Sequence, residues 1–484
     1  RPLPAPFRRF HGATLWPLHF SRNGTSPSYD DLFSPGAVPS QPVTLGAISE
    51  FFEFSLALSA WKQYEGSRWA LRINPSSGNL HPTEGYVVIG PMTGLSDSPG
   101  VYHYAPREHA LERRAEFPLQ VWHALIEGFP RGTFLAALTS IDWREAWKYG
   151  ERAYRYCQHD AGHALAALTL SAAVQGWEAH LLQAWGDADI ARLLGLDRAA
   201  DFADAEHEHP DLLLAVIPSP CGVGFQPVWP PKMIADSAGF LWSGHANRLS
   251  KEHVEWPLID AVADACTKPT TEPATIMKIE SWGPPLPPNR PPASARKIIR
   301  QRRSAVAFDG VTSITAEQFY LMLDRVLPRP DRIPWNALGP PVCVHLGLFV
   351  HRVIGLSPGL YFLVRDPVKL AELSAVTNPT FHWTKPDGCP ESLPLYLLAQ
   401  GDVRQIAGRL SCGQDIAAES AFSLGMIAEF EEPLKRSGAW FYRRLFWETG
   451  VIGQTLYLEA EAAGVRATGI GCFFDDPVHE LFGL

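Results

Sequence analysis

Two stretches of the chain, Ala161–Gln175 and Gly450–Ala463, carry small and apolar side chains around nearly the whole helical circumference. A helix with no polar face belongs inside a structure, so both read as long buried helices, with Gly176 and Gly464 as their C-terminal caps. Tyr86–Gly90 and Val342–Phe349 are dense in β-branched and apolar residues and read as strands; Phe134–Leu138 and Leu393–Ala399 read as later, buried strands. Ile298–Arg303 reads as a helix, Thr315–Val326 as an amphipathic helix capped by Thr315, and Leu249-Ser250 as the capped start of another. Strands and helices occur in both halves, which places the chain in the α+β class.

The buried helices belong to a longer repeat. His159–Leu196 aligns without a gap to Trp447–Leu484, at a constant offset of 288 positions. Matched pairs include Gly162/Gly450, Leu168/Leu456, Gly176/Gly464 and Asp187/Asp475. Chance similarity of two apolar helices supplies leucines and alanines; glycines and aspartates in register point to a domain duplication. Between the copies, Lys268–Pro292 reads KPTTEPATIMKIESWGPPLPPNRPP, a proline density that excludes a helix and predicts an extended spacer. The expected organisation is domain 1 over 1–267, a linker over 268–293 and domain 2 over 294–484. Domain 1 runs on past the repeat through Asp211–Pro218, so domain 2 reads as short by a strand.

Composition narrows the function classes. Of 484 residues, 46% are hydrophobic and 19% charged, which suits a well-filled globular core. A net charge of −9 argues against a broad nucleic-acid surface. No apolar run reaches the roughly 18 residues that a bilayer requires. The opening Arg1–Pro6 lacks the apolar core of a secretory signal, so the expected location is cytoplasmic. Seven scattered cysteines with no CxxC pair suggest reduced, mostly buried thiols and no zinc framework. His159 and His163 could share one helix face, but no further ligand follows at a suitable spacing, and His207 and His209 read as structural; no metal site is expected.

Two polar segments could carry chemistry. Arg72-x-x-Pro75-Ser76-Ser77-Gly78-Asn79-x-His81-Pro82 combines hydroxyls, an amide and a glycine free to turn left-handed, which suits either a ligand-holding loop or an ordinary turn before a strand. Arg300-Gln301-Arg302-Arg303-Ser304 could grip a phosphate through charge-assisted bonds, or could simply be a solvated basic helix end. Lys148-Tyr149 is a candidate acid/base pair, since a desolvated lysine can act as a base. The plainer alternative joins Lys148, Arg152 and Arg155 to Glu145 and Glu151 in a salt-bridge network. The aromatic stretches Phe381–Trp383 and Trp440–Phe446 suit either core packing or substrate walls.

Taken together, these segments carry a resemblance. Arg302-x-Ser304 followed by Ala-Phe-Asp resembles the opening flavin-binding stretch of the nitroreductase superfamily, and Pro75-Ser-Ser-Gly-Asn79 its second stretch. Lys148-Tyr-Gly-Glu-Arg-Ala-Tyr-Arg-Tyr156, Asp160-Ala-Gly-His163 and Val353-Ile-Gly-Leu-Ser-Pro-Gly-Leu-Tyr361 are similar to the SagB-type dehydrogenase branch, which includes azoline oxidases. The resemblance implies two fused nitroreductase-like domains, each a mostly antiparallel central sheet flanked by helices, forming an intramolecular pseudo-dimer. It implies FMN at the interface, held by Arg302, Arg303, Ser304, Pro75, Ser76, Ser77 and Asn79, with the backbone at Gly471 and Cys472 against the ring. Lys148 and Tyr149 would assist proton transfer as hydride passes to the flavin.

There are also departures. Domain 2 lacks the serine pair at its second loop (Ile333-Pro-Trp-Asn-Ala-Leu-Gly-Pro), and domain 1 lacks a clear Arg-x-Ser opening, so one competent cleft per chain is expected. Val306 stands where the family has a second basic residue, and its C-terminal strand and phosphate-binding basic residues would follow Leu484; Arg303, Arg72 or Arg296 could substitute. The implied function is an FMN-dependent oxidoreductase acting on a small organic or modified-peptide substrate, with a non-catalytic flavin-binding protein as the alternative. NAD(P)H enters only as a transient donor, because no GxGxxG follows a strand. Further association into a homodimer is left open.

Overall fold

The computed structural model describes residues 2–21, 25–218, 239–272 and 279–484. Cys221 and the 273–278 part of the linker lie outside them. In the N-terminal half an eight-stranded antiparallel sheet forms the scaffold. Its strands are β1 (Thr14–Pro17), β4 (Thr83–Ile89), β5 (Gly100–Ala105), β6 (Ala110–Glu116), β7 (Phe134–Ser140), β8 (Glu178–Leu181), β9 (His209–Ile217) and β10 (Leu241–Trp242). The order is β10-β6-β5-β4-β7-β9-β8, with β1 also on β6. Strands β4, β5 and β7 are buried along their full length, which explains why their sequences do not alternate. A separate two-stranded ribbon, β2 (Leu58–Tyr64) and β3 (Ser67–Arg72), projects from this half.

The C-terminal half repeats the centre of this plan with four strands: β11 (Val344–Val350), β12 (Gly359–Leu363), β13 (Leu395–Gln400) and β14 (Phe422–Ala428), ordered β13-β12-β11-β14. Here β14 is an edge, whereas its counterpart β7 is paired on both sides by β4 and β9.

The halves meet through two 22-residue helices, α2 (Ala153–Val174) and α6 (Phe441–Ala462), both almost wholly buried. They cross at the matched glycines. A Cβ on Gly162 would lie 2.3 Å from the Trp447 carbonyl oxygen, and one on Gly450 would lie 2.3 Å from that of His159. Hydrogen atoms alone therefore separate the two backbones. A chain of ion pairs ties the same seam: Arg290 bridges Asp30 (2.7 Å) and Glu459 (3.0 Å), and Arg325 reaches Asp30 (2.6 Å). Further along α6, Glu448 is buried, pairs with Arg365 and accepts the Cys343 N–H at 3.0 Å.

The structure corrects several expectations. Cys412 and Cys472 form a disulfide across 60 positions, while Cys157, Cys266, Cys343 and Cys389 are free and buried. A left-handed turn at Cys412 (φ 57°) presents it to the segment before Phe474, a meeting that linear spacing hides. Leu249-Ser250 starts no helix, because the buried Glu206 carboxylate takes both N–H groups (2.8 Å each); the helix begins at Pro257. Ser294 caps a helix α4 over Ala295–Gln301, and Arg302 has left it (ψ 127°), earlier than 298–303 at both ends. Lys148-Tyr149 forms the end of helix α1 (Asp142–Tyr149). Arg152 and Arg155 pair with Asp475 at 2.9 Å, not with Glu145 or Glu151. Phe381 and Trp383 pack onto a core that includes Phe362 and Phe482.

Candidate functional site

The site grows from a corner and a loop. Helix α1 breaks at Gly150, whose φ of 57° lets the chain turn into α2 and leaves Lys148 and Tyr149 on the last turn. Opposite stands the loop after β3, where Gly78 (φ 57°) and Asn79 (φ 60°) both take the left-handed conformation. A Cβ on Gly78 would sit 2.6 Å from the Tyr149 hydroxyl and 3.1 Å from Lys148 Nζ. Glycine is the residue that lets this loop touch the pair. The Tyr149 ring packs edge-on against Tyr156 of α2 at 4.6 Å.

The C-terminal half closes the same place. Arg302 is buried and donates from Nε to the Ile73 carbonyl (3.0 Å) and from Nη2 to that of Arg72 (3.1 Å), immediately before the loop. Its Nη1 is buried without a hydrogen-bond partner among the described residues. Ser304 hydrogen-bonds Tyr457 at 3.0 Å, and Ala305 N–H donates to the Ala467 carbonyl at 2.9 Å. From the segment that follows, Gly469 N–H donates to the Tyr457 hydroxyl (2.7 Å), while the Tyr156 hydroxyl donates to the Gly471 carbonyl (2.8 Å). Arg302, Ser304, the 75–79 loop, Lys148-Tyr149 and Gly471 thus lie along one stretch of the seam.

Within it the loop's polar side chains are already engaged. Asp160 of α2 accepts the Ser77 N–H (3.0 Å) and hydroxyl (3.1 Å). Ser76 Oγ accepts the His81 N–H at 2.7 Å, and Asn79 donates to the Ala70 carbonyl and bonds His81 Nε2, both at 2.9 Å. Arg303 turns away from its neighbour Arg302 and donates to the Ser59 carbonyl at 2.9 Å. Cys472 is held in the disulfide, and its carbonyl accepts from Gln414 (3.1 Å). Val306 is 85% exposed. Arg72 donates to the Thr83 and Pro6 carbonyls, and Arg296 pairs with Glu50 at 2.7 Å.

The electrostatics single out two acids. Burial pushes Asp160 up to about 7 against the pull of its serine hydrogen bonds. Burial, then the charge of Asp160, raise Glu145 well above the carboxylate range, and neither of its oxygens has a hydrogen-bond partner among the described residues. Burial, with Glu145 and Asp160 adding, pushes the Tyr149 phenol up to about 12, so it keeps its proton at neutral pH. Burial lowers Arg302 to about 10, still cationic. In the sequence Asp160 and Tyr156 stand within motifs without a role of their own, Glu145 reads only as a salt-bridge partner, and nothing singles out Tyr457. A carboxylate inside an otherwise apolar helix was the available signal for Asp160. His159 bonds Thr449 at 2.6 Å, burial lowers both His159 and His163 to about 3, and no metal-ligating cluster occurs among the described residues.

Comparison with known proteins follows this geometry. Residues 39–204 match the Nitroreductase family. The matched span includes the 75–79 loop, Lys148-Tyr149 and Asp160. Two relatives are named "putative nitroreductase". One, from Methanocaldococcus jannaschii, is 26% identical over 148 residues, 29% of this chain and 68% of the relative. The other is a crystal structure from Anabaena variabilis, 21% identical with a TM-score of 0.69, covering 99% of this chain and 91% of that one. The latter shows that the nitroreductase-like fold, a central antiparallel sheet flanked by helices, extends across both halves. No helix among the described residues is long and apolar enough to cross a membrane.

Proposed function

We propose that the chain is an FMN-dependent oxidoreductase of the SagB-type dehydrogenase branch, its two halves paired as a pseudo-dimer around one flavin. One observation carries this reading. A buried guanidinium from the C-terminal half, with Nη1 unpartnered among the described residues, grips the Arg72 and Ile73 carbonyls just before the glycine loop, and that loop approaches the Lys148-Tyr149 pair of the N-terminal half. A buried donor without an acceptor is costly, and an anionic or carbonyl oxygen of a bound flavin would satisfy it. Arg302, the backbone of Pro75–Asn79 and the chain at Gly471 would hold the cofactor, with Ser76, Ser77, Asn79 and Ser304 shaping the cradle through their internal bonds. Bound flavin would supply hydride acceptance and release.

The chain's own residues handle protons and water. Tyr149, protonated at neutral pH, offers a hydrogen bond at its hydroxyl, and Lys148, which is exposed rather than desolvated and has its Nζ 5.0 Å from that ring, is the candidate proton carrier beside it. Asp160 fixes the loop that faces them. The substrate class is a small organic molecule or modified peptide, with NAD(P)H as a transient donor.

The test is optical. Purified protein should be yellow, with bands near about 370 and about 450 nm from the flavin. Arg302→Ala and Ser77→Ala, one from each half, should each lower flavin content; loss with only one of them refutes a shared cleft. Lys148→Ala should keep the colour and slow substrate oxidation by about 100-fold. The second reading, a flavin binder without turnover, draws on the internal engagement of the loop's hydroxyls. It gains if the colour responds to neither donor nor substrate and Lys148→Ala changes nothing.

A further inference from the structure

Apart from the loop and the Lys148-Tyr149 pair, a cavity of about 530 Å³ opens between α4 and the base of the β2–β3 ribbon. Its lining is unusual for a chain of net charge −9. Among the described residues four cations face it, Arg296, Lys297, Arg300 and Arg303, together with the serines Ser21, Ser26, Ser59 and Ser294, and no acidic residue lines it.

Two of the cations are compensated from behind: Arg296 pairs with Glu50 at 2.7 Å, and Arg300 pairs with Glu53. The other two are not. The Arg303 guanidinium donates only to the carbonyls of Ser59, Arg300 and Arg302, while its backbone N–H donates to the Glu461 carboxylate at 3.2 Å; neither that guanidinium nor Lys297 forms an ion pair among the described residues. Arg296 Nε is also buried without an acceptor among the described residues. Two cations outside any ion pair and an orphan guanidinium N–H match a phosphomonoester, which carries about −1.5 to −2 at neutral pH; the hydroxyls of Ser26, Ser59 and Ser294 already donate within the protein.

The cavity is separated from Arg302 by the end of β3. Both the Arg302 guanidinium (3.1 Å) and the Ser59 hydroxyl (3.1 Å) donate to the Arg72 carbonyl, while Arg303 turns to the Ser59 side. We propose that this cavity is a second ligand site, one that binds the phosphomonoester group of a small molecule and is separate from the flavin cleft. The proposal stands whether or not the flavin reading does.

Inorganic phosphate is the probe, titrated by calorimetry into the purified full-length chain at fixed ionic strength, with chloride as control. The expected result is saturable binding, weakened about tenfold or more by Lys297→Glu, the scale of one charge-assisted contact. Lys297 is exposed and unpaired, so this variant should keep the wild-type melting temperature and flavin content. Competition by NADPH but not NADH would identify a phosphorylated electron donor as the source of the group, and failure of both would leave free phosphate or another phosphomonoester. A heat no larger than with chloride overturns the proposal, as does unchanged affinity in Lys297→Glu. Displacement of phosphate by FMN but not by riboflavin, or loss of flavin in the variant, would merge the cavity with the flavin cleft and overturn its separateness. A colourless protein that still binds phosphate would sink the flavin reading alone.

Discussion

At the residue scale, Asp160 couples the helical core to the candidate cleft, because one buried carboxylate holds Ser77 by two hydrogen bonds. Its folded-state value near 7 lies above the ordinary 3.8, so between these limits the native chain keeps a proton that the unfolded chain has released. Stability is greatest below the lower limit and falls as pH rises through the window. Asp160→Asn should flatten that slope. Between about pH 4 and about pH 8 the wild type should lose about 1–3 kcal/mol relative to the variant, read from denaturant melts. A parallel pair of curves would show that the carboxyl titrates normally.

Much of the candidate site was legible at this scale. Arg302, Ser304, the 75–79 loop and Lys148-Tyr149 are contiguous motifs whose residue types announce polar work, and the fold gathers them on one seam. What stayed hidden depends on distant meetings. Neither the opposite orientations of Arg302 and Arg303 nor the Cys412–Cys472 link can be read from spacing, since both depend on where a backbone turn sends a side chain. The serine hydroxyls looked free in the sequence because their acceptor, Asp160, lies 83 positions away.

At the element scale, the decisive event is the crossing of α2 and α6. A helix bearing glycine in mid-course loses stability in isolation, and here the loss is offset by backbone contact that any side chain would block. Gly162→Leu should therefore destabilise the fold by about 2–3 kcal/mol through overpacking, with the same expected for Gly450→Leu. Chemical denaturation checks both, and tolerance of either would place the contact elsewhere. These glycines were legible because the repeat aligned them. The ribbon β2–β3 was not, since Leu58–Arg72 mixes exposed Trp61, Tyr64 and Trp69 with charges and shows no buried face.

At the scale of the whole molecule, the α+β class followed from strand and helix patterns recurring in both halves, and the nitroreductase-like architecture from the resemblance carried by Arg302-x-Ser304 and Pro75–Asn79. The sheets differ in extent, eight strands against four. Charge as well as packing joins the halves. Arg290 connects Asp30, near the start of the chain, to the fully buried Glu459 of α6. Arg290→Ala removes the bridge and leaves Asp30 and Glu459 to share Arg325, so it should cost about 2–3 kcal/mol, on the scale of a broken buried pair. Loss measured as one cooperative transition would mean that the halves unfold together; two transitions would mean that the bridge serves only one.

The repeat sets Glu448 at the same helical station as Asp160. One is clamped by a guanidinium, while the other tethers a serine and holds its proton to near neutrality. In an assembly of identical subunits every substitution is felt twice, so a station needed on one side cannot be changed on the other. Joining both copies in a single polypeptide lifts that constraint. One acid can serve as a structural rivet while its twin is left to tether the loop of the candidate cleft.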